Sequence, residues 1–179
     1  MKSLLAVDQS LNHSGFCIWD GSNYYYDVLK YTKKELEELD TLDKIINLRE
    51  KIKELVRKFN PDVIIREGFA FGVESGKTFD LGGLGFTIDI LCRDLDIEEK
   101  IINITIHKKF TAGKGNAPKS IMLLKIYKHW DIELDDDNIA DALSMVKTYQ
   151  SYQRYLQGDH TDLTKAQKEV MTKLCKEIS

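Results

Sequence analysis

The sequence predicts an α/β protein: a five-stranded mixed sheet flanked by helices on both faces. Two observations carry that expectation. The first is element order: three strand-like runs joined by short polar segments come first, and strands alternating with helical segments follow. The second is the placement of acids. Asp8 closes the apolar run Leu4-Leu5-Ala6-Val7, Glu67 closes Val63-Ile64-Ile65-Arg66, and Asp137 and Asp141 open a late helical segment. Strand ends deliver side chains to one edge of a sheet, and residues four apart share one helix face.

Taken in order, Lys2–Asp8 reads as a strand and His13–Trp19 as a second, with Gly15 tolerating a close approach. Asp20-Gly21-Ser22-Asn23 is a turn cluster, and Tyr24–Tyr31 is a third strand rich in aromatics. Thr41 caps a long helix whose Leu42, Ile45, Ile46, Ile52, Leu55, Val56 and Phe59 follow the helical period, and Asn60-Pro61 stops it. Asp62–Glu67 is nearly all apolar before its terminal charges, as a parallel strand buried on both faces should be. Gly68-Phe69-Ala70-Phe71-Gly72 forms an aromatic loop ahead of a helix from about Lys77 to Cys92. A fifth strand is expected at Ile101–Ile106 and a Gly- and Lys-bearing loop at Lys108–Asn116. Ala117-Pro118 begins a helix, with proline in the tolerated first turn. Asn138–Leu156 is the next helix, Gly158-Asp159-His160-Thr161 breaks it, and Leu163–Ile178 is a final amphipathic helix.

At 179 residues the chain has room for one domain with a sizeable core, spanning 1–179 with a C-terminal helical extension at about 158–179. Its 42% apolar and 31% charged residues are those of an ordinary globular protein, which sets aside disordered and fibrous classes. No apolar run approaches the roughly 18 residues of a membrane span, so no membrane partner is expected. The N-terminal apolar stretch meets an acid too soon for a signal peptide. Cys17, Cys92 and Cys175 are odd in number and lack Cys-x-x-Cys spacing, so they read as reduced, buried thiols of a cytoplasmic protein. The net charge of −3 argues against a uniformly basic coat, but the charge is polarised. His107 to Lys128 holds six lysines and no acid, whereas acids gather at Glu35–Asp43 and Asp131–Asp141.

Converging carboxylates repel one another unless a divalent cation neutralises them. Hard cations such as Mg²⁺ take oxygen ligands, so Asp8, Glu67, Asp137 and Asp141 read as a metal site for phosphate chemistry. The plainer alternatives are a turn-forming Asp8 and an N-capping Asp137. Among the lysines, Lys108, Lys109, Lys114 and Lys119 each suit one phosphate, with glycines letting backbone amides approach; a merely solvated basic face is the alternative. His107 reads as orienting water or touching phosphate, or as a satisfied loop residue. Phe69 and Phe71 either anchor their loop in the core or stack on unpaired bases. Tyr149, Tyr152 and Tyr155 share a helix stripe that suits core or subunit contacts.

Four blocks together carry a family resemblance. These are Asp8-Gln9-Ser10 through Gly15; Glu67 with Phe69 and Phe71; His107 through Lys119, with its lysines and glycines; and Ile139-Ala140-Asp141-Ala142-Leu143. In this order and spacing they resemble a RuvC-type Holliday junction resolvase of the ribonuclease H-like superfamily, and the phage-encoded branch fits best. The bacterial members place the penultimate acid three residues before the last, where this chain has Asn138. Asp137, one residue earlier, faces the same side of the helix, so either Asp137 or Asn138 completes the set.

The resemblance implies a structure-selective endonuclease that resolves four-way DNA junctions or other branched DNA, leaving 5′-phosphates. It implies two Mg²⁺ ions, with Mn²⁺ as a substitute: Asp8 bridging, Glu67 and Asp137 or Asn138 on one ion, and Asp141 on the other. It also implies a homodimer making paired nicks, with Leu81, Leu84, Phe86 and Ile90 as interface candidates, against core packing as the alternative reading. Three rivals stand beside it. One is a nuclease of the same fold acting on RNA or on flaps and forks. Another is a branched-DNA-binding protein with a decayed metal site. The last is a sugar-kinase/actin-type ATPase, for whose paired domains the chain is too short.

Overall fold

A computed structural model describes residues 2–68 and 75–177; Phe69 and Phe71 lie outside the described residues. The strands are β1 (Leu4–Asp8), β2 (His13–Trp19), β3 (Tyr24–Lys30), β4 (Val63–Glu67) and β5 (Glu98–Ile102). They form one sheet in the order β3-β2-β1-β4-β5. The β1–β2 and β2–β3 pairs are antiparallel, while β4 pairs in parallel with β1 and β5. The helices are α1 (Lys33–Glu38), α2 (Thr41–Phe59), α3 (Ser75–Asp94), α4 (Ile104–Ala112), α5 (Lys119–Trp130), α6 (Asp137–Leu156) and α7 (Lys165–Glu177). The predicted fold class, a five-stranded mixed sheet with helices on both faces, is the one observed.

Strand pleating divides the core in two. Leu4 and Ala6 of β1, Cys17 of β2 and Val63 and Ile65 of β4 face a layer built from α4, α5, α6 and α7. Leu5, Val7, Phe16, Ile18 and Ile64 face α2 and α3. The same alternation assigns Asp8, Gly15 and Glu67 to the α6 face, and Arg66 to the α3 face. Two adjacent residues at the end of β4 therefore serve opposite sides of the sheet.

Three expectations are corrected. The fifth strand is Glu98–Ile102, not Ile101–Ile106, and most of the expected Lys108–Asn116 loop is the last part of α4. The β-branched run from Ile101 to Ile106 favours a strand locally. However, Ile106, His107, Phe110 and Thr111 form a helical stripe that packs against α6 and α7, and that burial wins. Gly113 ends the helix at φ 79°, a left-handed position that favours glycine. Helix α1 was not anticipated, because it buries no residue and so has no apolar period; its signal is the Thr32/Glu35 capping box. The long helix starts where expected, but its cap is Asp40, paired reciprocally with Asp43, one residue before Thr41.

Candidate active site

The site begins with register. Val7 of β1 pairs with Arg66 of β4, so Asp8 and Glu67 are the next residues on adjacent parallel strands. Gln9 holds those two strand ends together. Its Nε2 donates to the Glu67 carbonyl at 2.8 Å, and its Oε1 accepts from the Glu67 N–H at 3.2 Å. On the other side of β1, Asp8 pairs with Gly15 of β2. A Cβ on Gly15 would lie 2.3–2.6 Å from backbone atoms of Asn138 and Ile139. Only glycine lets the start of α6 rest on the sheet at that point, which brings Asp141 over the strand ends.

Helix α6 is anchored at its start. Asp136, not Asp137, is the N-cap: its Oδ1 accepts from Asn138 N–H at 2.9 Å and Ile139 N–H at 3.2 Å. Its Oδ2 lies 2.9 Å from His13 Nε2 on β2, tying the helix to the sheet a second time. Asp137 is thus released from the capping role that its position in the sequence also allowed.

Electrostatics then link the acids. The Asp8 carboxyl, 9% exposed, is held well above the ordinary carboxylate range, first by burial, then by Glu67, then by Asp141. Lys108 and Lys119 pull in the opposite direction. Lys108 Nζ lies 3.3 Å from Asp141 Oδ2, and both side chains are largely buried. Lys119 forms an ion pair with Asp137 in a more exposed position. The lysines expected to meet phosphate thus have distinct settings. Lys108 points into the site, Lys119 sits at its rim, and Lys109 pairs with Glu169 of α7 at 3.0 Å. Lys114 is exposed in the segment between α4 and α5.

His107, read from sequence as a loop residue, is fully buried on α4, which removes direct contact with phosphate. Its Nε2 is 3.4 Å from Glu67 Oε1. On the opposite sheet face, Arg66 is also buried, with Nε 2.8 Å from Asp89 Oδ1 and 2.6 Å from Glu99 Oε1. Burial and the adjacent Asp89 raise the Glu99 carboxyl, against the pull of Arg66. Arg66 Nη1 also donates to the Glu67 carbonyl at 3.2 Å, so this cluster braces the strand end from behind. Gln9, Asp136 and Arg66 were not singled out from sequence. Each acts through a backbone group that no motif displays.

A divalent ion fits the donor chemistry here: Asp8, Glu67 and Asp141 offer only hard oxygens, from one sheet edge and one helix. As the side chains stand, no three His, Cys, Asp or Glu groups among the described residues are gathered closely enough to hold one ion. Lys108 and Lys119 provide positive charge in that gap.

No protein-family model matches the chain, and no curated protein matches it in sequence. Solved structures do match. Thermus thermophilus RuvC in complex with Holliday junction substrate aligns with a TM-score of 0.71 at 16% identity, over 87% of this chain and 96% of that one. The yeast mitochondrial Holliday junction resolvase Ydc2 gives 0.63 at 14% identity, over 98% of this chain and 84% of its own. Fowlpox virus resolvase, in complex with substrate Holliday junction DNA, gives 0.51 at 16% identity, over 84% and 98%. Likeness at this identity establishes a shared ribonuclease H-like fold.

Proposed function

We propose that the chain is a metal-dependent endonuclease that cuts four-way DNA junctions, with Asp8, Glu67, Asp137 and Asp141 at its catalytic centre. One observation carries the reading: Asp8 and Glu67 end adjacent parallel strands with Asp141 of α6 near them, and the Asp8 carboxyl is disfavoured as an anion first by its burial and then by those two acids. A fold has little reason to bury such a group at an open sheet edge unless a cation joins it in function. The structural likeness to resolvases supports junction DNA as substrate.

Asp8, Glu67, Asp141 and either Asp137 or Asn138 would hold Mg²⁺ or Mn²⁺. When bound, such ions supply an activated water and a stabilised leaving oxygen. The chain's own residues do the rest. Gln9 keeps the Asp8 and Glu67 backbones in register, and Gly15 sets the height of α6. Lys114 and Lys119 are exposed for strand phosphates, and Lys108 balances charge inside the site. Lys109 is placed further out, toward α7. Paired nicks in a two-fold junction call for two such sites, hence a symmetric dimer. Phe79, Phe86 and Ile90 of α3 support this: they are 82%, 61% and 56% exposed, whereas Leu84 is buried and Leu81 packs against the core.

A second reading, junction binding without cleavage, is favoured by the two lysine–aspartate pairs, which supply counter-ions that need no metal. Incubating a labelled four-way junction and a linear duplex of the same sequence, with and without Mg²⁺, separates the two. Metal-dependent paired nicks confined to the junction are expected. Tight binding with no cut in Mg²⁺ or Mn²⁺ would establish the second reading instead. Preferential cutting of RNA, flaps or forks would change the substrate class.

A further inference from the structure

Behind Glu67, away from solvent, a connected set of polar side chains runs between α4 and α6. His107 Nδ1 lies 3.1 Å from Ser144 Oγ, and its Nε2 lies 3.4 Å from Glu67 Oε1. Ser144 Oγ is also 2.7 Å from Thr111 Oγ1 and 3.1 Å from the His107 carbonyl oxygen. His107, Thr111 and Ser144 are all at most 1% exposed. Thr148 cannot add a proton, because its hydroxyl donates to the Ser144 carbonyl at 2.7 Å. Apolar residues would fill this space without any pairing requirement, so a fully connected polar set in the core needs an explanation.

Proton counting gives the network a direction. Ser144 has one hydroxyl proton and three acceptors within reach, Nδ1, the His107 carbonyl and Thr111 Oγ1. If the proton goes to Nδ1, the ring proton is on Nε2 and is donated to Glu67. If it goes to the carbonyl or to Thr111, Nδ1 must carry a proton to face Ser144 Oγ. A neutral ring would then turn a bare Nε2 toward a carboxylate, lone pair against lone pair. The only satisfied alternative keeps a proton on Nε2 as well. With Glu67 ionised, as a metal-binding carboxylate must be, every satisfied arrangement points Nε2–H at Glu67.

We infer that His107 is a positioning residue for Glu67. Its Nε2–H occupies one lone pair of Oε1 and sets the rotation of the carboxylate, while Ser144 and Thr111 hold the ring in the donating form. The 3.4 Å separation is long for such a bond and leaves room to shorten when the carboxylate is engaged. This role rests on the proposed function of Glu67. Outer-sphere donors of this kind typically change metal affinity or activity by about 10–100-fold.

The test combines a signature in the wild-type protein with two substitutions. Nitrogen-15 NMR of the His107 ring should show a proton on Nε2; a neutral ring protonated on Nδ1 alone would overturn the inference. Mn²⁺ binding to the protein without DNA, followed by electron paramagnetic resonance, gives a readout independent of cleavage. His107→Leu should weaken Mn²⁺ binding about 10-fold or more. His107→Gln, whose amide can place an N–H near the Nε2 position, should recover most of it. Junction affinity measured without metal should be the same for all three proteins. Wild-type Mn²⁺ affinity in His107→Leu would overturn the inference, as would equal loss in both variants. The ring signature and His107→Gln carry the test should the leucine variant not fold. A wild-type protein that binds no Mn²⁺ would overturn the metal-site reading itself, whatever the tautomer.

Discussion

A carboxyl group buried beside two others, as Asp8 is, resists ionisation until positive charge joins it. Asp8→Asn keeps the shape and removes the charge. Cutting should fall by more than the about 10–100-fold that loss of an outer-sphere partner costs, while junction affinity holds or rises. Lost binding in a gel-shift titration would count against a metal role. The same group makes a stability prediction. Its folded pKa lies above the unfolded value of about 3.9, so its favourable contribution is complete below that value and is lost as pH rises through the folded pKa. Thermal melts in EDTA should therefore show the wild-type protein losing stability across that rise, with a flatter profile for Asp8→Asn and partial recovery on adding Mg²⁺. At the rim, Lys119→Ala should weaken junction binding and lower the slope of log affinity against log salt by about one. An unchanged slope would remove Lys119 from the phosphate-binding surface. Its exposed pair with Asp137 is worth at most about 1 kcal/mol, so little stability should be lost.

Between elements, the contact of β2 with α6 matters most. Gly15→Ala would place a methyl group against helix backbone, which cannot move aside as a side chain tip can. A cost of about 2–3 kcal/mol follows, or roughly 5–10 °C in Tm, together with loss of activity because α6 carries Asp137 and Asp141. A melting temperature equal to wild type would mean that the helix sits higher on the sheet than described. Gly15 was legible in the sequence as a close-approach residue, though not its partner, since a strand glycine does not say which backbone it meets. Helix α4 shows the opposite case. Ile101, Ile102, Ile104, Thr105 and Ile106 follow strand propensity, and only packing on α6 and α7 turns the second half into a helix. That turn carries His107 into the core and separates Lys108 from Lys109, which a loop would have left side by side.

Over the whole molecule, one sheet face is closed by four helices and the other by α2 and α3, with Phe79, Phe86 and Ile90 left outward on α3. If that stripe joins two copies, Ile90→Asp should yield a monomer in sedimentation and replace paired junction nicks with independent single ones, leaving Tm near wild type. Persistence of a dimer would move the interface elsewhere. No helix among the described residues is long and apolar enough to cross a membrane.

Local pattern alone was enough for the first four strands in their approximate places, for a five-stranded mixed sheet, and for acids at the ends of β1 and β4 and in the first turns of α6. Period-two and helical repeats, turn residues and caps are properties of neighbours in the chain, so they can be read without knowing what lies across the fold. Contacts between distant segments had to come from tertiary structure. These include the Gln9 clamp on Glu67, the Asp136–His13 pair that ties α6 to β2, the inward course of Lys108, and the buried His107–Ser144–Thr111 set. Each depends on which backbone or side chain arrives from tens of residues away. Register, the pleat of the sheet and the fit of α6 over Gly15 decide that together.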